Sequence, residues 1–339
     1  MKTITIKDIA KECGVGVSTV SRAINNHPDI SDETKKRIMK VIRENNFTPN
    51  STARNLKFTQ TKTIAVLIKG IENPFFQKML KVFEEEIQNK KHTFLLHRVD
   101  SNQDELEVAL QLIKGIIFLG GWFSHDEKRL KQITVPFVLS TISIFDGVDK
   151  NIYSSVSVDD IKESKKAIDC LCDYGHEKIS ILAAQPWDTS ISGLRVEGYK
   201  KALEERNIPI NKNLIRYTLH EENAFTMENG YKLMKELLES EEEFTAVYAV
   251  SDSMVIGASK AILESGKKIP EDYSIMGFDG LDISYYYNPS ISTIRQPVED
   301  MAKETSEILF NLIENNAYNS HKIFEGELLV RQSIARLNK

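Results

Sequence analysis

Eight apolar runs alternate with amphipathic or polar stretches through most of this chain, and that alternation limits its fold more than any other feature. The first four are TIAVLIK, TFLLHRV, GIIFLGG and PFVLST, starting at Thr63. The second four are KISILAA, NLIRYTL, FTAVYAV and YSIMGFD, ending at Asp279. Each run reads as a buried strand, and strands separated by helical stretches predict parallel sheets covered by helices. Two series of similar size predict two lobes. Open parallel sheets bind ligands beyond the carboxyl ends of their strands, so two such edges facing each other would line a cleft.

The first sixty residues follow another rule. Three short helical patterns fit between residues 5 and 46. Thr5 is placed to cap the first, with Ile9 and Ala10 on its inner face, and Gly14 to end it. The second starts near Gly16, with Val20 and Ile24 as an apolar ridge and Ser18, Thr19, Ser21 and Arg22 on the polar side. Ser31 is placed to cap the third, whose stripe is Ile38, Val41 and Ile42. Two helices joined by a tight turn, with a third across them, predict a helix-turn-helix; an ordinary three-helix bundle fits the pattern as well. Charge separates along the chain too. Residues 1–60 hold 11 Lys and Arg against 6 Asp and Glu, whereas the remainder holds 33 against 43. A basic head on an acidic body suits a head that meets a polyanion.

The stretches IKDIAKECGVGVSTVSRAINN and RIMKVIRENNFTPNSTARNLKFTQTKTIAVL carry a specific likeness. T-V-S-R followed at this spacing by A-R-x-L resembles the lactose-repressor/galactose-repressor (LacI/GalR) family, and the resemblance extends over essentially the whole chain. It implies an α/β protein with an N-terminal helix-turn-helix head and a two-lobed body like that of periplasmic sugar-binding proteins. The expected divisions are a head at 1–46, a hinge and linker at 47–60, an N-lobe at 61–160 plus 293–322, and a C-lobe at 161–292 plus 323–339. The family usually has Ser where this chain has Gly16, a weaker but acceptable cap.

The same resemblance implies base contacts from Val17, Ser18 and Arg22, with Thr19 and Ser21 nearer phosphates; Thr5 and Asn25 in the head and Asn50 in the hinge complete the DNA-facing set. Residues 50–58 fit a helix of about two turns, too short to be stable alone in water. The family's paired hinge helices enter the minor groove. Leu56 matches a leucine wedged between base pairs, Ala53 the small residue where two helices touch, and Arg54 and Lys57 groups facing the phosphates or groove. Taken without its neighbours, Leu56 is equally a linker residue packed on the body.

In the body, the resemblance places Phe75 and Phe76, Arg195 in R-x-x-G-Y, Phe225 and Asp279 at a small-molecule effector. Asp159, Ser251 and Asp252 are further candidates, with Ser251 standing where several relatives have Asn. Read as residues alone, the phenylalanines also suit a core, Arg195 a solvated helix face and Asp279 a turn cap. Trp187 either flanks the cleft or covers it. The stretch DELEVALQLI meets the strand GIIFLGG with only Lys114 intervening before Gly115, so either the helix ends early, near Ala109, or this unit is distorted.

No phosphate loop, zinc-protease or nucleophile-elbow motif is present. Cys13, Cys170 and Cys172 are too few and too irregular for a disulfide framework or zinc site. No enzyme activity, cofactor or metal is expected. The N-terminus lacks a secretory signal and no run approaches the ~20 apolar residues of a membrane span, so a cytoplasmic protein without membrane contact is expected. The function so indicated is a homodimeric, sequence-specific regulator, acting as a repressor at a palindromic double-stranded operator of a carbohydrate-utilisation operon and controlled by a sugar-like effector. A catabolite-control regulator answering to a phosphorylated carrier protein is one alternative, disfavoured by the acidic body. A soluble sugar-binding protein is another, disfavoured by the basic head.

Overall fold

The computed structural model describes residues 6–24, 30–44, 62–99, 113–120, 127–131, 133–142, 147–188, 190–218 and 224–337. Contacts divide the chain into two units, 1–60 and 61–339. The hinge segment at 50–58 and most of the helical stretch DELEVALQLI lie outside the described residues.

In the head, α1 (Ile6–Glu12), α2 (Val17–Ile24) and α3 (Asp32–Glu44) enclose Ile9, Ala10, Cys13, Val20, Ala23, Ile38 and Ile42. Spacings of three and four turn one stripe of each helix inward. Gly14 ends α1 with φ +61°, and the Val15 N–H donates back to the Ala10 carbonyl at 3.0 Å. An added Cβ at Gly14 would meet nothing within 4 Å, so glycine is needed there for its torsion alone. The Gly16 carbonyl accepts from the N–H groups of Thr19 and Val20 at 2.9 and 3.2 Å, opening α2 through the backbone. Ser31 Oγ accepts from the Thr34 N–H at 3.3 Å and caps α3, as its position predicts.

The body holds two six-stranded sheets. The first contains β1 (Thr63–Ile68), β2 (Thr93–Arg98), β3 (Gly115–Leu119), β4 (Phe137–Ser140), β5 (Ser154–Val158) and β11 (His321–Phe324), in the order β11-β5-β4-β3-β1-β2. The second contains β6 (Ile179–Ala183), β7 (Ile215–Tyr217), β8 (Ala246–Ala249), β9 (Ser274–Asp279), β10 (Ser292–Arg295) and β12 (Glu327–Leu329), in the order β12-β10-β9-β8-β6-β7. All pairings are parallel except that of β10 with β12. The helices are α4 (Phe75–Asn89), α5 (Glu127–Leu130), α6 (Asp160–Asp173), α7 (Ile191–Glu205), α8 (Met227–Leu238), α9 (Asp252–Glu264), α10 (Asp282–Tyr286) and α11 (Val298–Asn315).

The eight apolar runs all contain strands, but β2 is not buried as expected: it lies at the edge of the first sheet and is largely exposed. The chain crosses between sheets three times: after β5, after β10, and between β11 and β12. The first two crossings leave from strand carboxyl ends, and the third leaves the carboxyl end of β11, which runs parallel to β5. The three connections therefore bring the carboxyl edges of the two sheets together. The second crossing falls later than 292, because Ser292–Arg295 pairs with Met276–Asp279 in the second sheet. The third falls after Phe324, which pairs with Val158 in the first.

The short connection at Lys114-Gly115 leaves its strand regular. β3 pairs in register with both β1 and β4, and the Lys114 N–H donates to the Thr63 carbonyl at 2.7 Å. A Cβ on Gly115 would lie 2.8 Å from Ile313 Cδ1, so α11 approaches the strand where no side chain intervenes. No helix among the described residues is long and apolar enough to cross a membrane.

Candidate functional site

In the head, Val20 and Ala23 of α2 are buried, while Val17 is 40 % exposed and Arg22 is exposed. Thr19 is half-buried, and Ser18 and Ser21 lie on the same helix. One helix thus offers an apolar group at its start and a guanidinium further on, chemistry suited to a thymine methyl and to guanine or phosphate oxygens. Thr5, Asn25, Asn50, Ala53, Arg54, Leu56 and Lys57 lie outside the described residues.

In the body, strand order reverses between β1 and β3 in the first sheet and between β6 and β8 in the second. Such switch points open crevices at the strand carboxyl ends. Phe76, at the start of α4, lies over the first: a Cβ on Gly120, just past β3, would be 2.3 Å from its ring, and one on Gly70, just past β1, 3.9 Å. Phe75 meets Phe76 edge-on, with centroids 5.5 Å apart, and both are buried.

Arg195 occupies the second switch point. It sits on α7, which follows β6, and its Nη1 donates at 2.5 Å to the carbonyl of Val250, the residue after β8. Its Nε donates to Asp160 Oδ1 at 2.8 Å, and its guanidinium covers the Phe278 ring at 3.6 Å from the centroid. Asp279 Oδ1 stands 3.5 Å from Nη1, an ion pair without a hydrogen bond, and accepts from Gln296 Nε2 at 3.0 Å. Arg195 and Asp279 are each only 4 % exposed. Burial opposes the charge of Arg195, but Asp160 and Asp279 more than offset it and raise its pKa. Burial lifts the Asp279 carboxyl to about 7; Arg195 opposes the rise, whereas Asp252 and Asp160 add to it. Asp279 also has φ +116°, an uncommon conformation for a residue with a side chain. Strain of this kind gathers where a group must be held in one orientation.

The remaining candidates have other duties here. Asp159 caps α6, accepting from the Lys162 N–H at 3.0 Å. Ser251 caps α9, accepting from the Met254 N–H at 3.3 Å. Asp252 accepts from the Leu281 N–H and the Thr293 hydroxyl, each at 2.7 Å, tying α9 to the turn after β9. Phe225 packs half-buried against the core, and Trp187 is 54 % exposed. Asp160, Gln296 and the Val250 carbonyl join the cluster without having been singled out in the sequence. A carboxylate at a helix N-cap is occupied by the backbone, and in Asp159-Asp160 that argument leaves the second residue, not the first, to pair with Arg195. Among the described residues no group of His, Cys, Asp or Glu is arranged to hold a metal ion.

A buried Arg–Asp pair at a switch point offers donors and acceptors at fixed positions for hydroxyl groups, with the fully buried Phe278 backing the guanidinium. No nucleophile paired with a base lies among these residues.

Comparisons with known proteins agree with both parts of the chain. Residues 5–50 match the family described as bacterial regulatory proteins, lacI family, and residues 168–334 match the periplasmic binding protein-like domain. The chain is 40 % identical to the HTH-type transcriptional regulator MalR of Clostridium butyricum, over 97 % of this chain and 99 % of the relative. It is 31 % identical to the ribose operon repressor of Haemophilus influenzae, over 98 % and 99 %. Among solved structures, the transcriptional regulator CelR–cellobiose complex superposes with a TM-score of 0.72 at 26 % identity, covering 97 % and 99 %. A LacI family regulator of Enterococcus faecium with bound ribose superposes with a TM-score of 0.70 at 28 % identity, covering 81 % and 100 %. A helix-turn-helix head and a two-sheet body with a buried Arg–Asp pair at its switch point, matched along nearly the full length of these regulators, make this chain a member of the LacI family of bacterial transcriptional regulators.

Proposed function

We propose that this regulator is a homodimeric repressor of genes for carbohydrate use, whose operator affinity changes when a small sugar binds between the two sheets. The observation that carries this reading is the Arg195–Asp279 pair, buried at the second switch point of a chain that also bears a DNA-reading head. The relatives support it: one is a ribose operon repressor, and two solved neighbours hold cellobiose and ribose. In this reading, Arg195 and Asp279 grip hydroxyls, Phe75, Phe76 and Phe225 supply apolar surface, and Asp159, Ser251 and Asp252 hold the strand ends in place.

The head pair reads two half-sites of a palindrome from the exposed face of α2, as two-fold proteins do. The hinge at 50–58 orders on DNA, with Leu56 as its wedge and Arg54 and Lys57 on the backbone. The compartment is the cytoplasm, where operator and sugar meet. The test is a calorimetric titration of a sugar panel, paired with selection of bound duplexes from a random pool. Wild-type protein binds a sugar and selects a palindrome, while Asp279→Asn selects the same palindrome and loses the sugar. Full sugar affinity in that variant places the effector elsewhere.

A further inference from the structure

The Arg195 guanidinium is already committed to partners within the protein. Nε is bonded to Asp160, Nη1 to the Val250 carbonyl, and one face lies on Phe278. Asp160 and Asp279, each 4 % exposed, flank this one buried cation, and the fully buried Asp252 acts in turn on Asp279. The next cation, Arg331, is only partly buried and is spent on Ser284 Oγ and the Ile291 carbonyl, though its charge does act on Asp252. Burial pushes the Asp252 carboxyl up to about 6 and the Asp279 carboxyl to about 7, and at Asp279 the neighbouring carboxylates of Asp252 and Asp160 add to the rise.

We propose that Asp160 is a specificity-determining residue of the effector site, neutralising Arg195 so that the site takes uncharged polyols and rejects sugar acids and sugar phosphates. The proposal rests on the reading of this cluster as the effector site. An anionic ligand needs a cation to replace its lost hydration. Arg195 is the only buried one among the described residues of the cluster, and Asp160 holds it at 2.8 Å. A second anion would also meet Asp279 beside the same guanidinium. Hydroxyl groups face no such penalty: they donate to Asp279 and accept from the guanidinium N–H groups that Asp160 and Val250 leave free, since arginine carries five.

The experiment is calorimetric titration of the intact protein with neutral aldoses and disaccharides, each paired with its uronic acid or 6-phosphate. Wild type is expected to bind a neutral sugar about 100-fold more tightly than its anionic counterpart, as like-charge juxtaposition in a buried site implies. Asp160→Asn is expected to narrow that ratio about tenfold or more, chiefly by gaining the anion. Equal or tighter wild-type binding of the anion overturns the proposal and leaves the effector site in place. An unchanged ratio in a folded Asp160→Asn protein also overturns it, because Asp160 then determines nothing. Binding of no sugar at all, or neutral binding that Asp160→Asn and Arg195→Lys both leave untouched, overturns the site reading and the proposal together. If Asp160→Asn does not fold, the wild-type ratio decides.

Discussion

At the residue scale, Asp279 concentrates the physics of the body. Its carboxyl is buried, strained in φ and lifted to about 7, whereas an unfolded aspartate titrates near 4. The folded protein therefore keeps a proton that the unfolded chain has released, and stability falls as pH rises from about 4 to about 7. Asp252, lifted to about 6, acts in the same direction. The Tm of wild type should accordingly drop more steeply between pH 5 and pH 8 than that of Asp279→Asn; parallel profiles would show that Asp279 ionises freely. Arg195 and Asp279 were singled out only through the family's motifs, because read as residues alone Arg195 suits a solvated helix face and Asp279 a turn cap. Asp160 was not: nothing local separates it from Asp159, and only the N-cap of α6 assigns the two carboxylates different duties.

At the element scale, regular apolar strands were legible and polar ones were not. Ser154–Val158 reads as SSVSV, yet it is buried throughout, because Ser154 Oγ donates to Asn319 at 2.9 Å and Ser155 Oγ lies 2.7 Å from His321 Nδ1. Those partners come from far along the chain, so no window of sequence contains the reason for the strand. Helix contacts follow a similar rule. A Cβ on Gly257 of α9 would lie 1.8 Å from the Met227 carbonyl oxygen, and one on Gly230 of α8 would lie 2.0 Å from that of Met254. The two helices thus cross backbone against backbone, and Gly257→Ala should cost about 1–3 kcal/mol or more in urea unfolding of the body. A cost near zero would mean the helices part without strain.

The DNA-facing elements make their own predictions. Arg22→Ala, exposed on α2, should relax base preference in a binding-site selection while leaving the head folded around Ile9, Val20 and Ile38. Leu56→Ala should lower operator affinity and leave sugar binding intact, as expected of a wedge that meets only DNA; unchanged operator affinity would return Leu56 to an ordinary linker role.

At the scale of the whole molecule, three crossings join the two sheets, and all lie at the strand edges that carry the candidate site. Under the proposed function, a ligand held by Arg195 and Asp279 binds where the lobes are linked. Gln296, on the second crossing, already touches Asp279 at 3.0 Å. Lys78 of α4 also pairs with Asp282 of α10 at 2.8 Å, a link between helices of different sheets. Under the proposed function, occupancy biases lobe geometry, and a hinge segment too short to be a stable helix alone responds to a small bias. The most direct test is the affinity of the dimer for its selected palindrome, measured by fluorescence anisotropy with and without saturating sugar. Coupling of about 1–3 kcal/mol predicts a change of roughly 5- to 150-fold in wild type, and none in Asp279→Asn. A sugar that saturates the wild-type body yet leaves operator affinity unchanged would contradict the account.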